Sequence, residues 1–498
     1  MAAVLDSGAG TVQRCGMFDL RPVGYVIGLL IASLGVTMLV PLAADLLAGD
    51  RHWFVFFESA IVTILTGGLL ALACANGVAA GLTLRQTFLL TSLVWLTLPL
   101  FGAIPFILGA TEASLTDAFF EAMSALTTTG ATTFTQLETL PAGLLLWRGL
   151  LQWLGGIGII VVAMVFLPEL RVGGMQIFRS EAFETMGKIL PRAGQIASQI
   201  SVIYLVLTVA CGLIYSALGM DPFDAFVHAL TTVSTGGMAT TDASFGLYNA
   251  GIHYTAVVFM ILAALPFVRY VQLLAGTAEP LWRDSQVRAF FGLLALFVML
   301  MTAWLWAREG AWTELAFREA MFNIVSIMSG TGYASADYMQ WGTFPVVAFF
   351  FIGLIGGCAG STACSVKVFR YQILFAAIKS QIRQIHSPHG VFAPRFEGRP
   401  IGDDVINSVI AFFVAFVSLL GIITVLLGLT GLDFITALSG AATAIANIGP
   451  GLGPEIGPAG NFAGINDPAK WILAIAMFIG RLEVMVVLTI ISVRFWRN

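Results

Sequence analysis

The chain has 498 residues, 58% of them hydrophobic and only 10% charged. Soluble domains carry about 25% charged residues, so this composition, with its repeated long apolar runs, excludes a soluble globular protein and calls for membrane-spanning helices. The net charge of −4 identifies no partner, and the five cysteines contain no CxxC pair and outline no disulfide framework.

Barrel strands would alternate apolar and polar residues, and these runs do not. The expected fold class is all-α integral membrane protein. Residues 1–20 lack the apolar core of a cleavable leader. Ten spans are predicted in chain order, over 22–45, 54–80, 86–109, 143–168, 198–219, 254–276, 287–307, 343–375, 404–429 and 470–494. The 53 glycines are more than helix interiors need and point to close helix packing and unwound backbone at membrane depth.

One pattern occurs four times: an apolar helical run ending in a polar, glycine-centred turn. The copies are Phe120 to Gly130 (FEAMSALTTTG), Phe226 to Gly236 (FVHALTTVSTG), Phe322 to Gly332 (FNIVSIMSGTG) and Ser439 to Gly449 (SGAATAIANIG). Each lies between two predicted spans. A run of about 12 residues cannot cross a core about 30 Å thick at 1.5 Å per residue, so each enters and leaves by the same face. The expected organisation is a two-helix preface over 1–84, then four helix–pore loop–helix units over 85–196, 197–284, 285–402 and 403–498, closing around one pore.

A bare cation cannot enter hydrocarbon unless oxygens replace its hydration shell. Glycine admits the φ > 0 conformations that turn successive carbonyls one way. The candidate filter is therefore Thr128, Thr129 and Gly130; Ser234, Thr235 and Gly236; Gly330, Thr331 and Gly332; and Asn447, Ile448 and Gly449. These twelve positions contain no carboxylate, which favours a monovalent alkali cation over a divalent one. The short helices have recognisable starts at Ser114 or Asp117, at Asp221 before Pro222, at Thr313 with Glu314, and at Asp433. Their C-terminal, negative ends would then face the pore.

The eighth segment carries Gly353, Gly356, Gly357, Gly360, Ser361, Thr362 and Ser365 at mid-membrane depth. Such a run weakens a helix, and irregular backbone at that depth belongs beside a watery cavity or within protein. It is expected to be a flexible gating loop beneath the filter, or else a glycine-rich packing face. Arg481, inside the last span, is expected to act with it, donating to carbonyls of the loop or pairing with Glu483.

Basic residues concentrate on the side of both termini (Arg85, Arg171, Arg179, Lys188, Arg283, Lys379 and Arg383 among them). The opposite side holds Arg51, Arg148, Arg308, Arg318 and Lys470. The positive-inside bias places both termini in the cytoplasm and the four short helices on the outer side. The stretch 376–403 reads as a helix extension over Ile378–Ile385, a turn at 386–390, and an extended pair around Val391–Phe396 and Arg399–Ile401. It offers a docking surface for a cytoplasmic partner, or is a solvated connector. No nucleotide-binding glycine loop, Ser/His/Asp set or metal-protease motif is present, so neither an enzyme nor a nucleic-acid partner is expected.

The four repeats, the run Gly-Gly-Cys-Ala-Gly-Ser-Thr at 356–362 and Gly480-Arg481-Leu482-Glu483 resemble the Trk/Ktr/HKT superfamily of potassium transporters. The two extra N-terminal spans make the chain similar to the TrkH/TrkG type rather than to the shorter KtrB type. The resemblance implies a homodimer in a bacterial inner membrane, one pore per subunit, with a cytoplasmic ring of TrkA-type nucleotide-binding subunits. It implies that Gly130, Gly236, Gly332 and Gly449 line the filter, that 356–365 gate it, and that Arg481 narrows the pore below. Potassium is then the transported ion, bound only at the filter, with no covalent cofactor. Glycine rather than serine at position 130 resembles the potassium-selective members. The sequence Ser361-Thr362-Ala363-Cys364-Ser365 is less glycine-rich than the family pattern, which implies a stiffer loop. Two other readings remain from residues alone. One is a symporter coupled to sodium or protons, with Glu121 and Glu319 as titratable candidates. The other is the ion-conducting subunit of a pump, of the KdpA kind.

Overall fold

The computed structural model describes residues 19–77, 82–161, 193–310 and 312–497. Arg171, Arg179, Lys188 and the ends of the second and fourth predicted spans lie outside these. Seven described helices are long and apolar enough to cross a membrane, or up to nine if each of two sharply bent pairs counts as one span. Their outer faces carry exposed leucines such as Leu65, Leu69 and Leu72, as lipid-facing surfaces require.

The first helices form a hairpin. Arg21–Thr37 lies against Trp53–Cys74. Gly28 and Gly67 set the approach: a Cβ on either would strike the other helix's backbone, the small-residue packing expected where lipid removes any hydrophobic drive. Buried Asp45 ties this hairpin to the rest of the chain. It accepts from Gly143 N–H at 2.5 Å and contacts His52 Nδ1 at 2.9 Å.

The four short helices are Leu115–Leu126, Pro222–Val233, Glu314–Ser329 and Phe434–Ala446. Each starts at an expected cap. Ser114 Oγ accepts from Asp117 N–H, Asp221 from Phe223 N–H, Thr313 from Ala316 N–H, and Asp433 from Ile435 and Thr436 N–H. In the first helix Ser114 is the cap and Asp117 sits in the first turn.

Three predicted spans are not continuous helices. The sixth divides into Ala250–Ala264 and Phe267–Leu274, bent by 91°. Pro266 cannot donate an N–H, and the freed carbonyls of Ala263 and Ala264 accept from Thr362 and Cys358 instead. The last divides at Glu483 into Asp467–Leu482 and Val484–Ile491, bent by 105°. The eighth is a 13-residue helix, Thr343–Ile355, a loop over 356–367, and a second helix, Val368–His386. Beyond it, Arg395–Phe396 pairs antiparallel with Arg399–Pro400, as the extended pair anticipated.

Candidate ion pathway

Within two residues of its end, each short helix is followed by a residue of positive φ, one whose φ is not positive, and then a glycine of positive φ. The φ values are 53° and 88° at Thr128 and Gly130, and 51° and 76° at Thr235 and Gly237. They are 79° and 85° at Gly330 and Gly332, and 51° and 103° at Asn447 and Gly449. This alternation turns successive carbonyls to one side of each strand. The N–H of each middle residue bonds to the carbonyl five positions back in its helix: Thr129 to Ser124, Gly236 to Thr231, Thr331 to Ser326 and Ile448 to Thr443. Four loops thus share one local hydrogen-bond plan.

Both patterns move the second triplet by one residue. It is Thr235, Gly236 and Gly237, not Ser234, Thr235 and Gly236. Ser234 caps the helix, its Oγ donating to Thr231 O at 3.2 Å. Aligning Phe226 with Phe120 and Phe322 caused the slip. Phe226 is exposed, and Val227 takes the buried place. The small hydroxyls at Ser124, Thr231, Ser326 and Thr443 mark the true register.

The loops close on one another in order. A Cβ on Gly130 would strike the carbonyl oxygen of Gly236. One on Gly237 would strike that of Thr331, one on Gly332 that of Ile448, and one on Gly449 that of Thr129. The cycle returns to its start, so the four triplets form a ring of backbone with no room for side chains between neighbours. The negative ends of four helix dipoles converge on it. Above it lies a cavity of about 190 Å³ whose lining includes all four ring glycines.

The helix Ala142–Val161 braces one side of the ring. Arg148 and Glu121, both buried, are paired at 2.8 Å. Arg148 also donates to Ala239 O and Thr132 Oγ1, and Glu121 accepts from Thr133 N–H. One turn on, buried Gln152 donates to Gly236 O at 2.7 Å and accepts from Met238 N–H at 3.1 Å. Neither Arg148 nor Gln152 was recognised from sequence as a site residue. Their i, i+4 spacing within an apolar run was the available signal. Glu121, a sequence candidate, is held by Arg148.

On the opposite side of the ring from the cavity lies the glycine-rich loop. Cys364 sits against it: its Sγ is 3.9 Å from Thr128 Oγ1, and a Cβ on Gly330 would lie 3.5 Å from its N atom. Arg481, 3% exposed, donates to Cys364 Sγ and to Gly155 O at 3.3 Å, and lies 5.5 Å from the Trp95 ring. Its Nε has no hydrogen-bond partner among the described residues. The expected Arg481–Glu483 pair does not form. The reversal of the chain at Glu483, with φ of 71°, swings its carboxylate to buried Arg370 at 2.5 Å.

The loop is more tightly held than its glycines suggest. Ser361 Oγ donates to Cys358 O, Thr362 Oγ1 to Ala263 O and Ser365 Oγ to Gly353 O. Phe267 N–H donates to Gly360 O, and Val368 N–H to Gly357 O. Gly356 and Gly360 have φ of 78° and 72°, and a Cβ on Gly356 would press on Cys364 and Ser365. The loop is docked on the break in the sixth segment, so the two interruptions satisfy each other's backbone.

Residues 52–496 match the family model described as TrkH, cation transport protein. The chain is 42% identical over 480 residues to the Trk system potassium uptake protein TrkI of Halomonas elongata, covering 96% of this chain and 97% of that one. It is 36% identical to the Trk system potassium uptake protein TrkH of Vibrio parahaemolyticus, covering 96% and 99%. The crystal structure of the potassium transporter TrkH from Vibrio parahaemolyticus superposes with a TM-score of 0.89 at 33% identity, over 96% of this chain and all of that one.

Proposed function

The chain belongs to the TrkH cation-transport protein family, and from that premise we propose that it is the potassium-selective, channel-like conducting subunit of a Trk-type uptake system. The observation that carries this reading is the closed cycle in which each ring glycine meets the next triplet's middle carbonyl. Neutral oxygens in such a ring replace the hydration shell of a monovalent cation. The relatives are named potassium uptake proteins.

In this reading the chain has ten spans: the seven unbroken helices, the two bent pairs, and the interrupted segment Thr343–Ile355 with Val368–His386. Both termini lie in the cytoplasm. Loop 356–367 and Arg481 form the gate, and a cytoplasmic TrkA-type ring opens it through the surface at 376–403. The subunit works as a homodimer with a pore in each copy.

The test is Gly130→Ser, reconstituted in vesicles with opposed potassium and sodium gradients. A Cβ there meets Gly236 O and a φ of 88°, so the reversal potential should move toward that of sodium. An unmoved reversal potential in a folded variant overturns the filter.

A further inference from the structure

The ring is not uniform at its middle positions. Thr129, Thr331 and Ile448 carry side chains there, and Gly236 carries none. Thr129 Oγ1 is bonded to Thr127 Oγ1 at 2.8 Å and accepts from Asn447 Nδ2 at 2.9 Å. Thr331 Oγ1 is bonded to Ser329 Oγ at 2.7 Å. These side chains point away from the ring's axis and anchor their loops from behind. At Gly236 the space behind the loop is filled by another element: a Cβ there would run into the Gln152 carboxamide. Gly236 is absent from the positive-φ residues, so its backbone does not require glycine. What requires glycine is the presence of Gln152.

Gln152 is fully buried and uses both ends of its amide on this one loop. Nε2 donates to Gly236 O and Oε1 accepts from Met238 N–H. The matching carbonyls of Thr129, Thr331 and Ile448 accept no hydrogen bond from the described residues. One of four ring carbonyls is therefore tethered by a protein donor. A tethered carbonyl cannot swing inward to contract around an ion smaller than the one the ring fits. It also shares its lone pairs with an N–H, which weakens it as a ligand most for the smaller cation of higher charge density.

We propose that Gln152 is a positioning residue for ion selectivity, standing in for the side chain missing from the second filter loop and holding the Gly236 carbonyl at the width that suits potassium. This rests on the ring being the filter. It adds that discrimination at the second loop is set by a side chain from the neighbouring repeat rather than by the loop itself.

The experiment measures potassium-to-sodium permeability ratios from reversal potentials for four proteins: Gln152→Glu, Gln152→Leu, the pair Gln152→Ala with Gly236→Thr, and Gly130→Ser. Gln152→Glu keeps the shape and, when ionised, removes the donor to Gly236 O, whereas Gln152→Leu removes it at every pH. Without that hydrogen bond the ratio should fall severalfold. Gln152→Leu should fall at least as far. The paired variant rebuilds the second loop on the pattern of the first and third, and should recover most of the ratio. A merely structural Gln152 would change yield and thermal stability and leave the ratio alone. A wild-type ratio in folded Gln152→Leu, with a lowered ratio in Gly130→Ser, overturns this proposal and leaves the filter standing. A wild-type ratio in both overturns the filter reading, and this one with it.

Discussion

The ring and the floor beneath it are built on opposite plans. The ring is made four times from backbone, with the same φ alternation and the same five-residue hydrogen bond in each copy. The floor is made once, from side chains and one loop: Arg481 on Cys364 and Gly155, Arg370 on Glu483, and the 356–367 loop of the third repeat. Ion coordination needs equivalent oxygens around an axis, which repetition supplies. A gate needs one element to differ from its counterparts, so that a partner can move it without disturbing the ring. In the proposed function, symmetry serves selection and its local loss serves control.

The largest expected effect on ion selectivity breaks the repeated half. Gly332→Ala puts a Cβ into Ile448 O at a φ of 85°. That conformation alone costs about 1–2 kcal/mol for a non-glycine residue, and the collision adds to it. Selectivity for potassium over sodium should fall about tenfold or more, the equivalent of 1.4 kcal/mol, as read from competitive rubidium and sodium uptake. Normal selectivity would show that the ring tolerates a break at one quarter.

Next comes the unrepeated half. Arg370→Ala leaves the buried Glu483 carboxylate without its hydrogen-bonded ion-pair partner at the bend. Such truncations cost about 3–5 kcal/mol, so the melting temperature in detergent should drop well below wild type. Ion selectivity in the surviving folded fraction should be preserved, because no ring contact is touched. A variant with a normal melting temperature would mean that Glu483 finds another partner or takes a proton.

The smallest effect sharpens the division. Arg481→Ala removes a cation from beneath the ring and its contacts with the loop and Gly155. Flux without the cytoplasmic partner should rise severalfold while the permeability ratio stays constant. A changed ratio with unchanged basal flux would place Arg481 in selection rather than in gating.

Much of this was legible before the fold. Composition alone demanded membrane helices, because so few charges can hydrate so large an apolar chain. The four short helices and their caps at Ser114, Asp221, Thr313 and Asp433 rest on local chemistry, and local chemistry is written in neighbouring residues. The glycine-rich break in the eighth segment was visible for the same reason. Tertiary structure decided what depends on distant partners. The second triplet's register turned on whether Phe226 or Val227 is buried, which packing settles. The breaks at Pro266 and Glu483 stand because the 356–367 loop and Arg370 receive the groups they expose, and Arg370 lies 113 residues from Glu483. Gln152 behind Gly236 is a contact across 84 residues. A chain read one residue at a time shows which groups need partners. Only the closed ring shows which partners they have.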